Sequence, residues 1–165
     1  MPTTYEPIAT TTLGTAASQI DFTSIPATYT DLKVVFVGTA TSATGLRAQF
    51  NSDTATNYSR TSLLGDGGSV YAQRATSVAF VSLGINNNLS TTIPTLRTMD
   101  VFSYAGSTNK TVLTNESTDT NGGGAATVAV QMWRNTAAIT SISLNVSGTT
   151  IAAGSTATLY GIKNA

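Results

Sequence analysis

Apolar and polar residues alternate with a period of two from one end of the chain to the other, and no stretch carries the spacing of an amphipathic helix. In Leu46-Arg47-Ala48-Gln49-Phe50, Leu46, Ala48 and Phe50 share one face of a strand and Arg47 and Gln49 the other. Leu32-Lys33-Val34-Val35-Phe36-Val37 is apolar at almost every position, the pattern of a strand covered on both faces or at the centre of a packed sheet, and Val78-Ala79-Phe80-Val81 repeats it. Further strands are predicted at Ile8 to Leu13, Ile20 to Phe22, Tyr58 to Leu64, Leu96 to Tyr104, Thr111 to Asn115, Thr127 to Arg134, Ile139 to Val146 and Thr156 to Ile162. Turn chemistry separates them at Gly38, Asp66-Gly67-Gly68, Asn86-Asn87-Asn88, Ala105-Gly106, Asn121-Gly122-Gly123-Gly124, Ser147-Gly148 and Gly154.

About ten short strands at regular spacing predict an all-β fold of two packed antiparallel sheets. The count fits a jelly-roll-like β-sandwich better than an immunoglobulin-like one, which has fewer strands and, in antibody-type domains, a cysteine pair that this chain lacks. No linker, charge run or repeat divides the sequence, so a single domain is expected. Asn51 to Asn57 and Thr118 to Ala125 are the two longest irregular stretches and read either as exposed contact loops or as tolerated turns.

Composition changes this picture in one respect. Charged residues make up 10% of the chain, eight basic and eight acidic, against about 25% in ordinary soluble proteins. A neutral surface of this kind is poorly protected against association, which points to a chain covered by copies of itself or by partners; the plainer reading is a surface solvated by Thr, Ser and Asn. Scattered Lys and Arg residues argue against nucleic acid as a partner. No segment approaches the roughly 18 apolar residues of a membrane helix, and Met1 to Tyr5 has no export pattern, so no membrane association and assembly in a cytoplasm are expected.

Histidine and cysteine are both absent, which removes the commonest general base and every Ser-His-Asp or Cys-His arrangement. Carboxylate chemistry remains, from Glu6, Asp21, Asp31, Asp53, Asp66, Asp100, Glu116 and Asp119. Asp100 shares a predicted strand face with Leu96, Thr98, Phe102 and Tyr104, which calls for a partner such as Arg60 or Arg134; the functional alternative is an acid of raised pKa. The loops at Asn51-Ser52-Asp53 and Asp66-Gly67-Gly68 lack the spaced acidic series of a calcium loop. No catalytic residue, cofactor or metal is therefore predicted. Trp133 has two registers open to it. With Val128, Val130 and Met132 inward it projects outward as an interface anchor or sugar platform, and in the reverse register it is buried.

Tyr5-Glu6-Pro7-Ile8-Ala9-Thr10, the run from Ile20 to Leu32, the segment from Phe50 to Ser59, Trp133 to Ile142 and the ending Leu159-Tyr160-Gly161-Ile162-Lys163 together resemble a family of small virion proteins of tailed double-stranded DNA phages, cyanophages among them. The resemblance spans nearly the whole chain. It implies a non-enzymatic structural protein located in the virion. Two roles follow: a capsid decoration or cement protein, expected as a homotrimer on the outer head and bound to the major capsid protein, or a tail-fibre tip recognising host saccharide. On the first, residues 1–7 form an N-terminal arm ahead of a sandwich over 8–165, and Pro2, Thr3, Thr4, Tyr5 and Trp133 are the expected interface residues.

Overall fold

A computed structural model of the chain describes residues 4–85 and 87–163. Met1, Pro2 and Thr3, three residues of the expected arm, and Asn86 of the expected turn lie outside this range. Twelve strands are formed: β1 (Tyr5–Thr12), β2 (Gln19–Phe22), β3 (Asp31–Gly38), β4 (Arg47–Phe50), β5 (Tyr58–Gly65), β6 (Val70–Val78), β7 (Val81–Ser82), β8 (Thr95–Phe102), β9 (Lys110–Asp119), β10 (Gly124–Trp133), β11 (Ile142–Asn145) and β12 (Thr156–Ile162). They form an eight-stranded sheet in the order β1-β12-β3-β8-β9-β10-β5-β6 and a four-stranded sheet in the order β2-β11-β4-β7, and all pairings are antiparallel.

The order resolves into a jelly roll with two additions. Four-strand runs β1-β12-β3-β8 and β2-β11-β4-β7 are the two sheets of an eight-stranded jelly roll, in which the chain changes sheet at every connection except that from β4 to β7. Hairpin β5–β6 is inserted at that connection and hairpin β9–β10 between β8 and β11. Both join the large sheet beyond β8, so it is twice as wide as its partner.

Period-two alternation explains the core. β3 buries Leu32, Val34 and Phe36, β8 buries Met99 and Val101, and β12 buries Ala157 and Leu159. Ile20 and Phe22 of β2, Ala48 and Phe50 of β4, and Ile142 and Leu144 of β11 meet them from the small sheet. At about 1.5–3 kcal/mol for each large apolar side chain withdrawn from water, this one layer is the main stabilising element. Of the two readings of the apolar run in β3, a central position in a packed sheet is the one formed: β3 lies between β12 and β8, but it is not covered on both faces, since Val35 is only partly covered and Val37 is exposed.

Three further expectations change. Val70–Val78 is an edge strand that no apolar alternation announced. Residues 118–125 are no long loop, since β9 runs to Asp119 and β10 starts at Gly124. Gly124 makes that tight return possible. Its φ is +139°, and a Cβ there would sit 2.2 Å from the Thr118 carbonyl oxygen, so the position has room for no side chain. Finally, Tyr5, Glu6 and Pro7 of the expected arm belong to β1, where they pair with Ile162, Gly161 and Tyr160.

Candidate interaction surface

The two sheets present opposite chemistry to the outside. Gln19, Asp21, Arg47, Gln49, Ser143 and Asn145 occupy the outer face of the small sheet, and all are polar. The Gln19 amide donates to Asp21, and that of Asn145 to Gln49. Across the large sheet the outer face is instead mostly aliphatic and hydroxylic. Leu63 on β5 stands opposite Val128 on β10, and Val130 opposite Leu113 on β9. On the other side of a Thr98–Asn115 pair, Leu96 stands opposite Val37 and Thr98 opposite Val35. Leu63, Val128 and Val130 are 51%, 41% and 56% exposed, high for residues of strands in the middle of a wide sheet. Cross-strand apolar pairs of this kind stabilise the sheet locally, yet leave two water-facing apolar areas, separated by the Thr98–Asn115 pair, of the sort that marks interaction surfaces.

On the central strands of this face charge is paired, while Arg74 stands exposed on edge strand β6. Lys33 Nζ donates to Asp100 Oδ1 at 2.7 Å from the directly opposed position on β3. Asp100 therefore has a cross-strand partner, as a half-buried carboxylate requires, but the partner is Lys33 and not Arg60 or Arg134. Those arginines lie elsewhere, Arg60 on β5 and Arg134 with its guanidinium on the Thr56 carbonyl.

Beneath the two added hairpins the interior is polar. Arg97 of β8 and Glu116 of β9 are cross-strand neighbours, and both are buried. Arg97 Nη2 donates to the carbonyls of Asn87 (2.9 Å) and Asn88 (3.3 Å) and to Thr118 Oγ1 (3.2 Å), while Glu116 Oε2 accepts the Ile85 N–H at 2.9 Å. The pair thus pins the segment joining β7 to β8. Gln131 extends the polar layer by bridging Ser82, with its Oε1 accepting the Ser82 N–H and its Nε2 donating to the Ser82 carbonyl and to Thr114.

Burial pushes the Glu116 carboxyl up to about 7, against the opposing influence of Arg97, the Ile85 N–H and Arg60. A carboxyl whose folded value lies above its ordinary 4.5 binds more protons in the folded than in the unfolded state across that interval. Stability is therefore expected to be highest below about pH 4.5 as far as this group is concerned, and to decline as the pH rises through 7, by on the order of 3 kcal/mol. With no histidine in the chain to obscure it, urea unfolding at pH 5 and pH 8 reads the effect directly, and Glu116→Gln should flatten the slope.

A second anchored corner forms where residues 51–57 fold over the end of β10. Trp133 is fully buried and packs edge-on against Phe50 at 5.6 Å between centroids and stacks on Tyr58 at 6.3 Å, and the Phe50 and Tyr58 rings are themselves 6.1 Å apart, so the three rings form one cluster. Its indole N–H donates to Asp53 Oδ2 at 2.7 Å. Desolvation raises the Asp53 carboxyl, but hydrogen bonds from Asn57, Trp133 and the Ala55 N–H outweigh it and hold the group below its ordinary value. Asn51 closes the same loop onto the segment before β11, donating to the Ala138 carbonyl and accepting from the Thr140 and Ser141 N–H groups.

Of the expected interface residues, Trp133 is overturned. Ala129, Gln131 and Trp133 point inward and Val128 and Val130 outward, so the indole is core and offers no surface to a partner. Tyr5 is 53% exposed on edge strand β1, and the Thr4 carbonyl accepts the Lys163 N–H; Pro2 and Thr3 lie outside the described residues. Of the five phenylalanines, Phe22, Phe36 and Phe50 are buried, Phe102 is exposed and Phe80 lies under the Arg47 guanidinium. Several carboxylates are engaged singly. Glu6 pairs with Lys163, Asp31 accepts the Ser103 N–H, and Asp66 and Asp119 accept N–H groups of their own turns. Among the described residues no three acidic side chains come close enough together to hold a metal ion, and no helix is long and apolar enough to cross a membrane.

These features define a jelly-roll β-sandwich, widened on one sheet by two hairpins, whose candidate site is the bare outer face of that sheet. The chain matches no family model, no curated protein and no solved structure.

Proposed function

We propose that this chain is a non-enzymatic structural subunit of a tailed-phage particle, a decoration protein that self-associates through the outer face of its large sheet and reinforces the head by binding the major capsid protein. The observation that carries the reading is the contrast between the two outer faces: a polar small sheet and a bare Leu/Val/Thr large sheet. The sequence resemblance supplies the particle.

A second copy of the chain is the occupant that fits the face best. Eight strands about 4.8 Å apart and some seven residues of about 3.3 Å each give a surface of roughly 900 Å², enough for the ~800 Å² per partner of a stable interface. Formal net charge is zero, so copies approach without repulsion, and the Lys33–Asp100 pair is already neutralised when they meet. Sedimentation equilibrium is expected to give a closed oligomer of three copies. Placing lysines on the patch, Val130→Lys with Leu63→Lys, should shift the protein to monomer with little loss of fold stability, since both side chains already face water. An unchanged mass would remove the face from the interface.

The particle assignment has its own test. Phage heads lacking the protein should bind it at stoichiometric, symmetry-related positions by electron microscopy and release their genome at a higher temperature. Failure to bind heads combined with adsorption to host cells would overturn the decoration role in favour of a tail-fibre tip.

A further inference from the structure

The added hairpins create a feature that head reinforcement does not use. Because the small sheet spans only half the width of the large one, the inner side of β5 and β6 overhangs it near their connecting turn. Tyr71 on β6 stands opposite Leu64 on β5, and Leu64 is buried, so the tyrosine lies on that inner side; yet 45% of its surface reaches solvent. A cleft of about 650 Å³ opens there between the turns of the two hairpins and the segment joining β7 to β8. Its size is that of a small-molecule site.

The lining has a definite chemistry. Tyr71 contributes the exposed aromatic ring, Asn88 a water-facing amide, Thr91 and Thr120 hydroxyls, and Asp66 a carboxylate. Asp66 Oδ1 is occupied by the Gly68 and Ser69 N–H groups, which lower the pKa and keep the group ionised. No Lys or Arg lines the cleft. The wall is held before any ligand arrives: Arg97 grips the Asn87 and Asn88 carbonyls, Asn87 Nδ2 donates to the Ala125 carbonyl, and the Leu89 N–H donates to the Thr44 carbonyl. A preformed wall spares a ligand the entropy cost of ordering it.

We infer that this cleft binds a neutral saccharide, with the C–H face of a sugar ring on Tyr71 and its hydroxyls on Asp66, Asn88 and the threonines. An aromatic face beside planar acceptor and amide groups suits a ligand that is apolar on one side and rich in vicinal hydroxyls on the other. Asp66 as the one charge in the lining excludes acidic sugars by repulsion. The inference is independent of the outer face, because the cleft lies at the hairpin end and on the inner side of the sheet.

Saturation-transfer NMR of the intact protein with chitotriose, maltotriose and mannotriose, and with trigalacturonate as the acidic counterpart, tests it. Transfer to at least one neutral trisaccharide is expected, with affinity at least tenfold lower in Tyr71→Ala and in Asn88→Ala, and unchanged in Val130→Lys. Both cleft side chains are exposed, so unchanged melting temperatures should accompany the loss. No transfer to any neutral trisaccharide, equal affinity for trigalacturonate, or binding that survives Tyr71→Ala would overturn the inference and leave the decoration role untouched.

Discussion

Trp133→Ala is expected to cost about 3–5 kcal/mol of unfolding free energy, the range for emptying a fully buried aromatic site, and so to lower the melting temperature by roughly 10–15 °C. Among the described residues the indole is the largest fully buried side chain, clustered with Phe50 of the small sheet and Tyr58 of the large one. Its removal opens a cavity where the two sheets meet and withdraws a hydrogen-bond donor from Asp53. Trp133→Phe separates the two contributions: it refills most of the volume but leaves Asp53 without the indole N–H, for an expected loss of about 1.5–3 kcal/mol from a hydrogen bond to a charged acceptor. Urea unfolding of the two variants measures both. A loss below 1 kcal/mol for the alanine variant would mean that residues 51–57 and their aromatic floor are not closed as described.

Arg97→Met should be comparably damaging, and its size should depend on pH. Methionine keeps most of the volume but leaves Glu116 buried without its neighbouring cation, an arrangement that costs about 3–5 kcal/mol when the remaining group is charged. At pH 8 the wild-type carboxyl is ionised, so the variant must either bury that charge alone or take up a proton, and a penalty is expected in both cases; at pH 5 the carboxyl is protonated with or without Arg97, and most of the penalty disappears. The double variant Arg97→Met with Glu116→Leu removes both charges together and should recover much of the loss at pH 8. Equal penalties at pH 5 and pH 8 would show that the arginine acts only by holding the Asn87 and Asn88 carbonyls.

Sequence pattern carried most of the jelly roll, and it misled where the contrast between inward and outward residues is lost. Inward and outward positions are plain where one face is apolar and the other polar, as in β4, where Ala48 and Phe50 are buried and Arg47 and Gln49 are not. β10 offers no such contrast. Its outward Val128 and Val130 are as apolar as its inward Ala129 and Trp133, so the phase of the strand, and with it the fate of the tryptophan, could not be read. That ambiguity is the sequence signature of the bare outer face. In β8 and β9 the reverse holds, since Arg97, Lys110 and Glu116 sit inward where apolar residues would be expected. Lys110, for example, ends on the Gly106, Thr108 and Thr136 carbonyls, acceptors brought together only by the folded turns. Edge strand β6 is largely exposed along its length, so Ala72, Arg74, Thr76 and Ser77 carry no alternation. The saccharide cleft was invisible for another reason: Tyr71, Asn88 and Thr120 come from three separate segments, and only the pairing of β5 with β10 brings them together.

The seating of β12 between β1 and β3 makes completion of the wide sheet depend on its most distant pairing. Tyr5 finds its hydrogen-bonding partner in Ile162, and β3 stays without one of its two neighbours until the same segment arrives. The hairpins β5–β6 and β9–β10 close over short distances, whereas β1 and β12 meet across more than 140 positions of sequence (Thr12 with Thr156). Folding is therefore expected to end on that pairing, and any lesion in β12 leaves both β1 and β3 short of a neighbour.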